Sequence, residues 1–165
     1  MMFERWKRKK ESTGCLGFYD TKPYDSFSYA LVYAGQTLIK DEDKVHVYAR
    51  NYKKTVFIIV LIDEETGVDV DRYRYETLKD ALKEKGIEEG DSVIHLWVFQ
   101  HDNEQTRAIA KVARTNTKTQ FNQVLIFNYR EVRLEYWRPV PKFYKLYDHY
   151  AEAIYYDLTA IDPLR

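Results

Sequence analysis

A chain of 165 residues is long enough for one domain with a proper core and short for two. Its 45% hydrophobic and 32% charged content is that of an ordinary soluble globular protein, and 26 basic residues against 26 acidic leave no net charge, which argues against binding nucleic acid chiefly through phosphates. A lone cysteine, Cys15, excludes an internal disulfide and a Cys-x-x-Cys metal pair, and fits a reducing, cytoplasmic setting.

Residues 1–14 read as a basic, flexible tail ahead of one α/β domain over 15–165. The opening MMFERWKRKK sets Arg5, Lys7, Arg8, Lys9 and Lys10 around Trp6. Such a stretch either frays in water or lies on an anionic membrane surface, which places the chain in the cytoplasm and, on the second reading, peripheral to a membrane. No run approaches the roughly 20 apolar residues of a membrane-spanning helix. Pro23 and Asp25 precede SFSYALVYAG, a short helix capped by Asp25 or Ser26 and ended at Gly35.

From residue 44 the periodicity is clear. KVHVYAR alternates, with Val45, Val47 and Ala49 on one face. TVFIIVLI is apolar without alternation, as expected of a strand covered on both faces. VDVDRY alternates as a third strand. ETLKDALKEKG is a helix burying Leu78, Ala81 and Leu82 and stopped by Gly86. VIHLWVF is a second covered strand in which His95 is expected to be a hydrogen-bonded core residue. HDNEQTRAIAKVART is a helix capped by Asp102 or Asn103, with Ala108, Ile109 and Val112 inward. QVLIFN and EVRLEYW are strands, the latter alternating and near an edge. Two prolines in RPVP break the chain, and KFYKLYDHYAEAIYYDL is a final helix burying Phe143, Leu146, Tyr147, Tyr150, Ile154 and Leu158. The order is αβββαβαββα: a mixed central sheet of about six strands with helices on both faces.

That order resembles nucleases of the PD-(D/E)xK restriction-enzyme type, in which strand-borne carboxylates hold a divalent metal. The residues here depart from the pattern. Asp63 ends a strand, Asp69 and Asp71 follow a turn, and no Asp-x-Lys or Glu-x-Lys triple accompanies them. They read better as solvated turn charges, and a divergent metal-dependent nuclease using Asp63, Asp69 and Asp71 is the alternative. The four histidines are far apart with no ligand-spaced pair, and no glycine-rich phosphate loop is present, so no metal or cofactor is expected. Nucleic-acid binding without cleavage is a third reading, disfavoured by the balanced charge.

NYREVRLEYWRPVPKFYK concentrates Arg133, Trp137, Arg138 and Tyr144, residue types that dominate interface hot spots, with Trp137 outward by alternation. The 15 tyrosines suit half-wet surfaces generally. A protein partner is therefore expected, and the zero net charge also permits self-association. The succession KVHVYARNYKKTVFIIVLID, SVIHLWVFQHDNEQTRAIA, FNQVLIFNYREVRLEYW and FYKLYDHYAEAI resembles, over about residues 44–160, the soluble cytosolic domain preceding the membrane part of rhomboid-family proteases in Gram-positive bacteria. The resemblance lies in the pattern of elements. It implies a noncatalytic sensing or interaction module near a membrane, with a nuclease-like fold lacking catalytic residues. Within residues 1–165 the sequence carries neither the transmembrane region nor the Gly-x-Ser-Gly motif of those proteins.

Overall fold

The computed structural model describes residues 15–16, 35–64, 66–113, 119–128 and 133–159. The tail with Arg5, Trp6, Lys7, Arg8, Lys9 and Lys10, and the helix expected before Gly35, lie outside the described residues. The strands are β1 (Cys15–Leu16), β2 (Thr37–Asp41), β3 (Val45–Tyr52), β4 (Thr55–Ile62), β5 (Ser92–Phe99), β6 (Gln120–Asn128) and β7 (Arg133–Tyr136). The helices are α1 (Tyr75–Glu84), α2 (Glu104–Ala113) and α3 (Tyr144–Thr159), with 3-10 turns at Val70–Tyr73 and Pro141–Phe143. Hydrogen bonding orders the strands β1-β7-β6-β5-β4-β3-β2, a mixed open sheet in which β1 contributes only two residues. The fold is α/β, as the periodicity predicts. The chain divides into two compact units, 35–124 and 125–165 with 1–34.

In the first unit, β3 and β4 form an antiparallel hairpin and β4 pairs in parallel with β5 along eight residues. The apolar runs explain this arrangement. Every residue from Ile58 to Ile62 and from Val93 to Phe99 is buried, so neither face of these strands meets water. Each buried Val, Leu or Ile contributes about 1.5–3 kcal/mol relative to exposure. The parallel pairing requires the crossover that α1 supplies. That helix buries Leu78 and Leu82, and it ends where Gly86 takes φ 83°. There Gly86 N–H donates to Lys83 O at 3.1 Å and Ile87 N–H to Leu82 O at 2.9 Å, satisfying the last carbonyls.

Two expectations fail in this unit. Residues Val70–Tyr73 form a 3-10 turn instead of a third strand. The Asp69 carboxylate accepts from Asp71 N–H at 3.1 Å, so a local side-chain bond competes with the ladder that alternation alone would favour. The third antiparallel strand is β2, pairing with β3 through a bulge between Leu38 and Lys40. The second failure is the rotation of α2. Asn103 caps it by accepting from Thr106 N–H at 2.8 Å, but the buried stripe is Thr106, Ala110 and Ala113. Ala108 and Val112 are exposed. Small residues let the helix approach closely, which outweighs the larger hydrophobic area of Val112.

In the second unit, β7 pairs antiparallel with β1 and buries Leu134 and Tyr136. Helix α3 buries Tyr147, Ala151, Ile154 and Tyr155, spacings of four, three and one that make a single stripe. Leu146, expected inside, is 41% exposed because it lies beside that stripe. Leu158 lies outside the residues whose side chains are described.

Candidate interaction surface

The carboxylates singled out by sequence take separate partners. Asp63 ends β4, where its N–H donates to Lys44 O at 2.8 Å and its Oδ1 accepts from Gln100 Nε2 at 2.6 Å. Asp69 caps the 3-10 turn, and Asp71, largely exposed, pairs with Arg74 at 3.1 Å. Around them Arg72 donates to Glu42 at 3.2 Å, and the Tyr73 hydroxyl reaches the same carboxylate at 3.3 Å. Burial, then the Glu42 charge, raises the Tyr73 phenol above its ordinary value. Among the described residues no three His, Cys, Asp or Glu side chains gather as a metal site.

His95 is a core residue. Its Nε2 lies 2.8 Å from the Tyr73 carbonyl, which can only accept, so the ring carries its proton there. The imidazole stacks on Trp97 with centroids 4.2 Å apart, and Trp97 Nε1 donates to Asn122 at 3.1 Å. Burial is the main cause that lowers the His95 pKa to about 3, so it is neutral at physiological pH.

Where β7 meets α3, the structure brings two of the expected binding residues together. Tyr136, at the end of β7, donates its hydroxyl to Asp148 Oδ1 at 2.7 Å, and Arg138 Nη1 donates to Asp148 Oδ2 at 3.3 Å. Strand alternation explains why Tyr136 and Arg138 reach one carboxylate, and the i, i+4 spacing of Tyr144 and Asp148 puts them on one face of α3. The Arg138 guanidinium lies 4.2 Å from the centroid of the Tyr144 ring, well within cation–π range. Burial, then the bond to Asp148, raises the Tyr136 phenol far above its usual value, so it remains a donor.

The connecting segment is preorganised. Pro141 opens the 3-10 turn, and Phe143 N–H donates to Val140 O at 2.9 Å. Val140 at 37%, Tyr144 at 36% and Leu146 at 41% exposure stand out on it, with Lys142 and Lys145 exposed alongside. Trp137, expected outward, is half-buried and engaged. Arg133 begins β7, and its side chain lies outside the described residues. Sequence reasoning missed Asp148, the carboxylate that Arg138 and Tyr136 share. The spacing of Tyr144 and Asp148 was the available signal.

No helix among the described residues is long and apolar enough to cross a membrane. In comparison with known proteins, no family model, curated protein or solved structure matches the chain.

Proposed function

We propose that the chain is a noncatalytic interaction module that docks a protein partner at the β7–α3 corner. One observation carries this reading. Among the described residues five large hydrophobic side chains are exposed, and three of them, Val140, Tyr144 and Leu146, fall within seven consecutive positions. Arg138, clamped between Asp148 and the Tyr144 ring, holds the aromatic anchor in place, so little side-chain freedom is lost on binding. Exposed apolar side chains at Val140 and Tyr144, with exposed Lys142 between them in the chain, fit a partner with an apolar patch and an acidic rim. A position near a membrane, through the basic residues Arg5 to Lys10, belongs to the same reading.

The test is site-specific photocrosslinking in the native host. A crosslinker at Leu146 should capture a defined adduct that a crosslinker at exposed Lys111 on α2 does not. Val140→Asp should remove it. Identical adduct patterns from both positions would end the proposal.

A further inference from the structure

The β3–β4 hairpin carries features that the corner does not explain. Residues 44–62 contain Lys44, Arg50, Lys53 and Lys54 and no Asp or Glu, in a chain whose charges balance only over its whole length. The two-residue turn Lys53-Lys54 joins the paired Tyr52 and Thr55. Lys53 has φ 55°, the one non-glycine residue in the left-handed region among the described residues. A lysine there costs about 1–2 kcal/mol that a glycine would avoid. Next to it Tyr52 is the most exposed large hydrophobic residue described, at 57%. Lys53 Nζ lies 5.6 Å from its ring centroid, and the ring meets Phe57 edge-on at 6.5 Å. Arg50 lies 5.9 Å from the Phe57 centroid.

The tip is stiffly held from below. The Asn51 side chain exchanges two hydrogen bonds with the Glu88 backbone at 2.9 and 2.8 Å, and Asp91 N–H donates to Lys54 O at 2.7 Å. An exposed aromatic ring with Lys53 beside it and Lys54 next in the same turn matches a plane, with the ring at headgroup depth and the ammonium groups on lipid phosphates. A nucleic-acid strand is instead tracked by a basic groove. We propose that the Tyr52-Lys53-Lys54 tip seats the protein on an anionic phospholipid surface. Glu88, Glu89 and Asp91, exposed in the segment bonded to Asn51 and Lys54 beside the tip, oppose that attraction and keep it weak and salt-sensitive.

Vesicle flotation with the full chain tests this, using phosphatidylcholine with and without phosphatidylserine. Binding should require phosphatidylserine and fall with salt. Lys53→Gly relieves the backbone and so preserves the fold, yet should lower partitioning about fivefold for the lost charge. Tyr52→Ser should lower it further, and Glu88→Gln with Glu89→Gln should raise it. No vesicle binding, partitioning unchanged by Lys53→Gly, or loss confined to Lys9→Gln with Lys10→Gln would overturn the proposal. So would hairpin variants that weaken binding of a single-stranded oligonucleotide but not of vesicles.

Discussion

Two nitrogen-bearing side chains lie against aromatic rings at the same separation, with opposite consequences. His95 stacks on Trp97 at 4.2 Å in the sealed core of one unit, and Arg138 lies 4.2 Å from Tyr144 at the half-exposed corner of the other. In the core a charge would be poorly solvated, so burial drives the ring to its neutral form, with Nε2 bonded to the Tyr73 carbonyl and Nδ1 left without a hydrogen-bond partner among the described residues. At the corner the guanidinium lies between a carboxylate and a ring, and both members of the ion pair remain partly open to solvent. The same contact is therefore structural where it is buried and available for recognition where it is not.

The largest effect that would sharpen this contrast is at Trp97. Its truncation to Ala should cost about 3–5 kcal/mol, because it empties a fully buried site and removes the bond to Asn122, whereas Tyr144→Ala should change stability by about 1 kcal/mol or less. Denaturant unfolding of both variants measures the difference, and equal losses would erase the distinction. Gly90→Ala comes next. A methyl there would stand 2.3 Å from the Lys54 carbonyl oxygen, so the hairpin turn must shift at about 1–3 kcal/mol.

The pH response of His95 follows. Its folded pKa of about 3 lies below the ordinary 6.5, so the unfolded chain binds a proton that the folded chain refuses. The stability from the neutral ring is complete above about pH 6.5 and is lost as pH falls toward 3, at about 1.4 kcal/mol per pH unit. His95→Phe should flatten this part of the stability profile between pH 6.5 and 4.5, and an unchanged slope would contradict the buried neutral ring. The smallest effect is expected from Arg138→Ala, about 0–1 kcal/mol in thermal unfolding, since both partners of its ion pair retain solvent contact.

The strands most legible in the sequence were those with one unambiguous pattern. TVFIIVLI and SVIHLWVF have no polar face to offer water, and both are central. Alternation alone misled at VDVDRY, because an aspartate able to bond its own backbone makes a turn that carries the same letters. Helix α2 was recognised, but its orientation was not. Ala108, Ile109 and Val112 form as regular a stripe as Thr106, Ala110 and Ala113, and only the packing distance selected the smaller set. At the corner Arg138 and Tyr144 stood out by residue type, while the ion pair of Arg138 with Asp148, ten positions along the chain, was not legible.

Local chemistry thus sufficed for the class of fold, for the covered strands, for the glycine that ends α1 and for the residue types at the corner, since each depends on near neighbours in the chain. Tertiary structure alone decided which strand completes the meander, which way α2 turns, and which carboxylate holds Arg138. Those choices compare the packing of segments far apart in sequence, and no pattern within a single segment contains that comparison.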